Sequence, residues 1–523
     1  RDSFVPMPFP AQWLIRQNHQ KSDNKLYQFS YALYGSAKVG YLKGAYPFKG
    51  FFNFRIPKRL VMILFNRIIL LLVLFFTGAV QAQSVDSLFI RKLADEILLH
   101  SKAYENLRVL TKKIGPRLAG SSGMVKAEKW GLTAMQQAGA DKSWMQQCMV
   151  PHWVRGGEDK ARAIVDLGDG KRGLSLDVVA LGNSIGSGPK GVTAQVVEVK
   201  SFEELELKKE QVKGKIVFYN YPFNATFVRT FQAYGDASKY RGQGPSQAAK
   251  YGAVGTIVRS MSHGANNHPH TGATRYDSLY AKIPAVAIGL EHADQLSQWL
   301  QKQVVQVKLE THGYFLPDTI GHNIIGELKG TEFSDQIITV GGHLDSWDNC
   351  EGAHDDGAGC VQTIEILRAF KAIGYQPRHT IRFVLFANEE NGLRGGTQYA
   401  AEAKEKNEQH IFALESDAGG FTPRGFGFTM SEAQYQRVLG WQSLIAPYGC
   451  SEFSKGGGGA DIGPLNRTFN TPVAGLQPDS QRYFDYHHAR NDVFEAVNKR
   501  ELELGAVNMA ALLYLVDRYG LGQ

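Results

Sequence analysis

Residues 337–356 read IITVGGHLDSWDNCEGAHDD. Ile337, Ile338, Thr339 and Val340 are β-formers that run into two glycines, which predicts a buried strand ending at His343. In open α/β sheets ligands gather at the carboxyl ends of strands. This end carries His343, Asp345, Asp348, His354, Asp355 and Asp356. So many imidazoles and carboxylates fold together only if their charges are paired, neutralised or coordinated. A metal site is the simplest reading.

Outward from this stretch, strands alternate with helical periods, the pattern of βαβ units. Strands are expected at 323–328, 336–340, 380–387, 411–414, 425–430 and 472–476, and helices at 357–373, after Arg394, at 432–446 and at 499–519. The predicted fold is α/β, a mostly parallel sheet flanked by helices. Residues 83–173 supply its first, largely helical part, and residues 314–523 its second. Between them, residues 174–313 change to short strands, helical stretches and Gly- and His-rich loops, and are expected to form a smaller inserted α/β domain without an acidic or basic cluster of its own. His263, His268 and His270 lie in its loop 261–274, where solvated loop histidines are a simpler reading than a metal site.

At 523 residues and 43% hydrophobic content the chain is globular and long enough for two or three domains. Its net charge of +8 would point to nucleic acid or an anionic membrane. Residues 1–82, however, hold 11 of the Lys/Arg and 2 of the Asp/Glu residues, so the remainder is net −1 and nucleic acid is excluded as a partner. Lys58, Arg59 and Arg67 precede the apolar run Ile68–Phe76, and Val80-Gln81-Ala82 offers a small-residue cleavage site. Residues 62–82 therefore read as a secretory signal peptide, with Gln83 as the mature amino terminus. A stable membrane anchor would need roughly 20 apolar residues and is not expected. Residues 1–61 show no clean period and read as upstream translated sequence, since Met62 would begin an ordinary signal peptide. A secreted or periplasmic location follows. Cys148, Cys350, Cys360 and Cys450 fit no zinc-ribbon spacing and are expected as mostly free, buried thiols; Cys350 and Cys360 flank the 354–356 loop and are the pair to watch.

Five places at or near strand ends offer metal ligands: His343; Asp355 with Asp356; Glu389-Glu390; Asp417; and His487-His488. Singly, each has a plainer explanation, such as a turn that opens a helix at Asp356-Gly357 or a solvated glutamate pair. Together in one βαβ series they do not. Two histidines and three carboxylates without a thiolate suit two Zn²⁺ ions about 3.5–4 Å apart that share one carboxylate. Of Glu389 and Glu390, one would be a ligand and the other the base that takes a proton from the attacking water. Asp345, two residues past His343, is placed to accept the second imidazole N–H and orient the ring.

Gly342-His343-Leu344-Asp345-Ser346, Asp355-Asp356-Gly357-Ala358-Gly359, Glu389-Glu390-Asn391-Gly392, Glu415-Ser416-Asp417 and His488-Ala489-Arg490-Asn491-Asp492 resemble the motifs of the M28 family of di-zinc exopeptidases. The likeness runs roughly from Ser101 to the carboxyl terminus. It implies one zinc held by His343, Asp355 and Asp417 and another by Asp355, Glu390 and His488, with Asp355 bridging and Glu389 as general base. It favours His488 over His487, because the family's ligand is followed four residues later by an aspartate, here Asp492. It also places Asp461 near substrate, in a stretch (SKGGGGAD, 454–461) richer in glycine than in relatives. The insert resembles a protease-associated domain, which in relatives shapes access to the site.

The resemblance implies a secreted exopeptidase that hydrolyses dipeptides or short peptides, with peptide substrate as partner and a homodimer left open. Two alternatives stand beside it. One is an aminopeptidase acting on longer peptides. The other is a non-catalytic binding module on the same scaffold, which would require lost ligands, and none is lost. Which substrate terminus is read depends on the loops around the site.

Overall fold

The computed structural model describes residues 85–264 and 266–522. The expected signal peptide, its cleavage site and the upstream segment lie outside the described residues.

An eight-stranded sheet runs in the order Lys142–Val154, Tyr314–Leu328, His379–Phe386, Phe333–His343, Gln409–Glu415, Val473–Pro478, Pro423–Thr429, Glu452–Lys455. Its centre is parallel, with Phe333–His343 between His379–Phe386 and Gln409–Glu415. Lys142–Val154 pairs antiparallel with Tyr314–Leu328, Tyr314–Leu328 with His379–Phe386, and Pro423–Thr429 with Val473–Pro478, while the other four pairings are parallel, so the sheet is mixed with a parallel majority. One face packs through Ile338, Val340, Phe383 and Phe412 on the core that includes helices Ala358–Ala372 and Lys499–Tyr519. The other meets helix Arg394–Glu405 through Val384, Phe386 and Ala413. Cover on both faces leaves residues 337–343 buried without a break, which is why no alternation shows there. In the register, His343 lies opposite Phe386 and Gly341 opposite Glu415. The loops bearing Glu389-Glu390 and Asp417 therefore start level with His343.

Two elements differ from the sequence pattern. Residues 142–154 fall in the part expected to be largely helical, yet they form one long strand; Gln146-Gln147 blur its alternation and the register shifts between Val150 and His152, on either side of Pro151. The helix expected at 432–446 is broken at Gly440 into Glu432–Leu439 and Gln442–Ile445.

A second eight-stranded sheet takes, in order, Lys171–Leu176, Lys160–Asp166, Gln306–Glu310, Val192–Val199, Ile216–Tyr219, Gly255–Arg259, Ala285–Ile288 and Val178–Ala180. The chain leaves the first sheet at Val154 and returns at Tyr314, which face each other on one rung. Strand pairing thus begins the second sheet at Lys160, ahead of the change of character at 174. The 160–176 hairpin forms the sheet's edge, where one-sided burial gives alternation but no apolar run. All four cysteines are free and buried.

Candidate metal centre

Aligned strand ends and two loops bring the expected ligands together. His343 Nε2 lies 3.1 Å from Asp355 Oδ1 and 3.4 Å from Asp417 Oδ1. His488 Nε2 lies 3.3 Å from Asp355 Oδ2 and 3.0 Å from Glu390 Oε2. Asp355 so presents one oxygen to each imidazole, and its Oδ2 is buried without a hydrogen bond. Two imidazoles and three carboxylates in two groups that share Asp355 form a hard-to-borderline donor set that fits a pair of divalent ions.

Two neighbours compete for these places. Within 4.8 Å, Asp355 also groups with His487 and His488, and His343 with Asp356 and Asp417. Asp356, however, is committed to the main chain, its oxygens accepting the N–H groups of His343 and Gly359 at 3.0 Å each. His487 Nε2 stands farther off, 3.7 Å from Asp355 Oδ2, and its ring stacks on His488 at 3.6 Å. Contact geometry thus favours Asp355 with His488 and Glu390.

The supports differ from the sequence reading in one respect. His343 Nδ1 faces the main-chain carbonyl of Asp345 at 3.1 Å, with the Asp345 carboxylate at 3.8 Å. That carboxylate instead accepts the N–H groups of Glu389 at 3.0 Å and Glu390 at 3.3 Å, fixing the glutamate pair against the central strand. Asp492 acts likewise on the opposite side, accepting from the N–H groups of His354 at 2.7 Å and Asp355 at 3.1 Å. Arg117, legible in sequence only as part of a helix stop, is fully buried. It donates to the carbonyls of Leu344 at 2.5 Å, Glu351 at 2.6 Å and Gly352 at 2.8 Å, tying down the loop that follows His343. Each buried carbonyl left unpaired would cost about 1–3 kcal/mol.

Other candidates lie elsewhere. Asp348 pairs with Arg155 at 2.6 Å. His354 stacks on Phe421 at 4.1 Å, and its Nδ1 accepts the Gly420 N–H at 3.1 Å. His263 packs on Phe223, and neither His268 nor His270 joins a donor group among the described residues. Asp461, expected near substrate, is fully buried with both carboxyl oxygens unpartnered. It lies outside the lining of the cavity that opens on the donors.

That cavity, about 370 Å³, is lined by Asp355, Glu389, Glu390, Asp417 and His488 on one side and by Asn183, Phe231, Tyr234, Arg241 and Arg275 of the second sheet's segment on the other. The main-chain carbonyl of Thr271 in the same segment lies 3.3 Å from His488 Nδ1. Scattered single residues of the insert meet only through the fold, which is why no cluster is visible in its sequence.

The crowded carboxyls titrate unusually. Burial, then the charge of Asp355, lifts Glu390 to about 7. Burial lifts Glu389 well above the usual carboxylate range, with Asp417, Glu390 and Asp355 adding to it and His343 opposing. Against burial, Glu390 and Asp355 raise His488 to about 10. Without metal these shifts share one sign. The raised Glu390 destabilises the fold as pH rises from its ordinary 4.5 through about 7. The stabilising charge on His488 is complete below 6.5 and is lost as pH climbs toward about 10. Chelated protein is therefore expected to unfold at a lower temperature at pH 8 than at pH 5, and a divalent ion to restore stability at pH 8, because cations favour the deprotonated donors. Calorimetry in chelator checks this; a flat or rising profile would contradict it.

The sequence profile of Peptidase family M28 matches residues 323–513. Carboxypeptidase Q from Homo sapiens is 35% identical over 419 residues, 80% of this chain and 85% of that protein. A solved peptidase M28 precursor from Shewanella amazonensis SB2B superposes with a TM-score of 0.78 at 31% identity, over 83% of this chain and 97% of that one. A zinc aminopeptidase from Bacillus subtilis shares the fold, with a TM-score of 0.56 at 20% identity over 79% of this chain and 94% of that one.

Proposed function

The chain belongs to peptidase family M28 and is an enzyme that hydrolyses peptides, and from that premise we propose a two-zinc exopeptidase acting on dipeptides and other short peptides. The observation that carries this is Asp355, buried with one oxygen toward His343 and the other toward His488. His343, Asp355 and Asp417 would hold one ion, and Asp355, Glu390 and His488 the other. Zinc bound there supplies Lewis acidity, which acidifies water and stabilises negative charge developing on oxygen.

Glu389 does the proton work. It is half-buried, lines the cavity, and its carboxylate makes no hydrogen bond or ion pair among the described residues. Burial raises its basicity, so it can take a proton from the attacking water and return it to the leaving amine. Its backbone is held by Asp345, which keeps the carboxylate directed into the cavity. A volume of about 370 Å³ is at the low end of the ~300–1,000 Å³ of small-ligand sites and has the insert as one wall, which favours short substrates. We read the insert as a protease-associated-like cover and, on the leader pattern, the enzyme as secreted or periplasmic.

Metal analysis of purified active protein is expected to give about two equivalents of Zn²⁺. Dipeptides should be cleaved at least about tenfold better in kcat/KM than pentapeptides with the same terminal residues. Equal use of pentapeptides would favour a general aminopeptidase, and full activity in metal-free protein would end the two-zinc reading.

A further inference from the structure

The two imidazoles of the donor set are held in the same way, but from different parts of the chain. Each turns Nε2 to the carboxylates and Nδ1 to a main-chain carbonyl. For His343 that carbonyl belongs to Asp345, two residues on in the same turn, at 3.1 Å. For His488 it belongs to Thr271, 217 residues away in the insert, at 3.3 Å. A carbonyl can only accept, so Nδ1 carries the proton and Nε2 keeps its lone pair for an ion. Arg241 Nη1 lies 3.4 Å from the same Nδ1, but a guanidinium only donates. Were Nδ1 to accept from it, the ring proton would sit on Nε2 and block the ligating position. The Thr271 carbonyl is thus the contact that selects the ligating tautomer.

The backbone of His488 is held from the same place. Its φ of +61° lies in the left-handed region, which a residue with a side chain keeps only when its surroundings hold it there. The His488 carbonyl accepts from the Thr271 N–H at 3.0 Å and from Asn349 Nδ2 at 3.3 Å. One residue of the insert therefore grips this ligand by both its main chain and its ring. Thr271 is fully buried and is fixed in turn, its Oγ1 donating to the Ala180 carbonyl at 2.8 Å. Beside it the Gly182 N–H donates to the Gly272 carbonyl at 3.0 Å, and the Thr274 N–H to the Gly182 carbonyl at 2.8 Å. Gly272 is required by its φ of +125°, and a Cβ there would meet the Arg241 guanidinium carbon at 2.5 Å. We infer that Thr271 is a positioning residue for His488, so that the insert completes the metal site. The ion held by Asp355, Glu390 and His488 is bound tightly only while the insert is docked, and that ion locks the insert in return, since such coupling is reciprocal. The ion at His343 needs no such help, because its imidazole is braced within its own turn. This rests on the two-zinc reading above and adds to it the part of the chain that secures the second ion.

The test measures zinc affinity, by competition with a chelator, in two backgrounds that each spare one donor group. Asp417→Asn spares Asp355, Glu390 and His488, and Glu390→Gln spares His343, Asp355 and Asp417. Gly272→Ala should weaken zinc binding about 10–100-fold in the first background, the usual loss when a ligand's outer partner is disturbed, and leave the second unchanged. Thr271→Val keeps the shape but loses the hydroxyl that anchors to Ala180, and it carries the same comparison should Gly272→Ala not fold. Thr271→Ser, which retains that hydroxyl, should restore the wild-type affinity. Zinc should also slow hydrogen exchange of the Thr271 amide in the wild type and in Asp417→Asn, but not in Glu390→Gln. Equal weakening in both backgrounds or in neither, or a Thr271 amide whose exchange zinc leaves unchanged, overturns the inference and leaves the two-zinc reading intact. Wild-type protein that binds fewer than two zinc ions overturns the two-zinc reading itself, and this inference with it.

Discussion

Glu389→Gln is expected to slow peptide hydrolysis by about 10²–10⁴-fold while retaining the full metal content, the loss typical of removing a general base. The amide keeps the size of the side chain and the two N–H anchors that Asp345 provides to the main chain at 389 and 390. Only the capacity to accept a proton goes. Glu390→Gln should be slow for another reason. Glu390 Oε2 lies 3.0 Å from His488 Nε2, inside the donor set, and a neutral amide is a poor zinc ligand. That variant should therefore contain close to one equivalent of zinc. Rate alone cannot separate the two roles, so the comparison rests on metal analysis beside kcat. Loss of zinc from Glu389→Gln with two ions kept in Glu390→Gln would show the pair to be reversed. Full activity in both would remove general-base hydrolysis altogether.

How much of this site is legible in the chain depends on how local each cause is. His343 is legible because four β-formers running into two glycines predict a buried strand that ends at His343, and Glu389, Glu390 and Asp417 follow strands of the same kind. The central parallel pairings supply the rest, since they hold those ends level. Arg117 is invisible by contrast. Its local sequence stops a helix, and its carbonyl partners lie 227 to 235 residues away. Arg241, Arg275 and the Thr271 carbonyl are hidden for the same reason, as each reaches the site only because the insert's fold places helix Thr230–Gly242 and the 271–275 loop beside the donors. Asp345 shows a subtler limit. Spacing alone puts its carboxylate beside the His343 ring, but in the actual turn the carbonyl comes closer and the carboxylate turns to the glutamate loop. Asp461 is a similar case, since the resemblance implies a place near substrate but sequence position alone does not show that the side chain is fully buried outside the cavity lining.

Asp355→Asn should have the largest effect of all, beyond the 10²–10⁴-fold range of losing a base, because the Lewis acid is lost along with the geometry for proton transfer. Among the described residues Asp355 is the one whose two oxygens face the two imidazoles, at 3.1 Å and 3.3 Å. An amide in its place offers one weak oxygen and one nitrogen that cannot ligate. Both donor groups are then reduced to two members, so neither ion is held well. Two readouts follow. Metal analysis should fall toward zero equivalents, and added Zn²⁺, which raises the unfolding temperature of any protein that binds it only when folded, should do so for the wild type and not for the variant. The main-chain anchors from Asp492 to residues 354 and 355 do not involve the substituted side chain, so the turn itself should persist. A variant that keeps one full equivalent of zinc would mean that Asp355 belongs to a single ion. The two groups would then be separate sites, and the shared carboxylate on which the two-zinc reading rests would not exist.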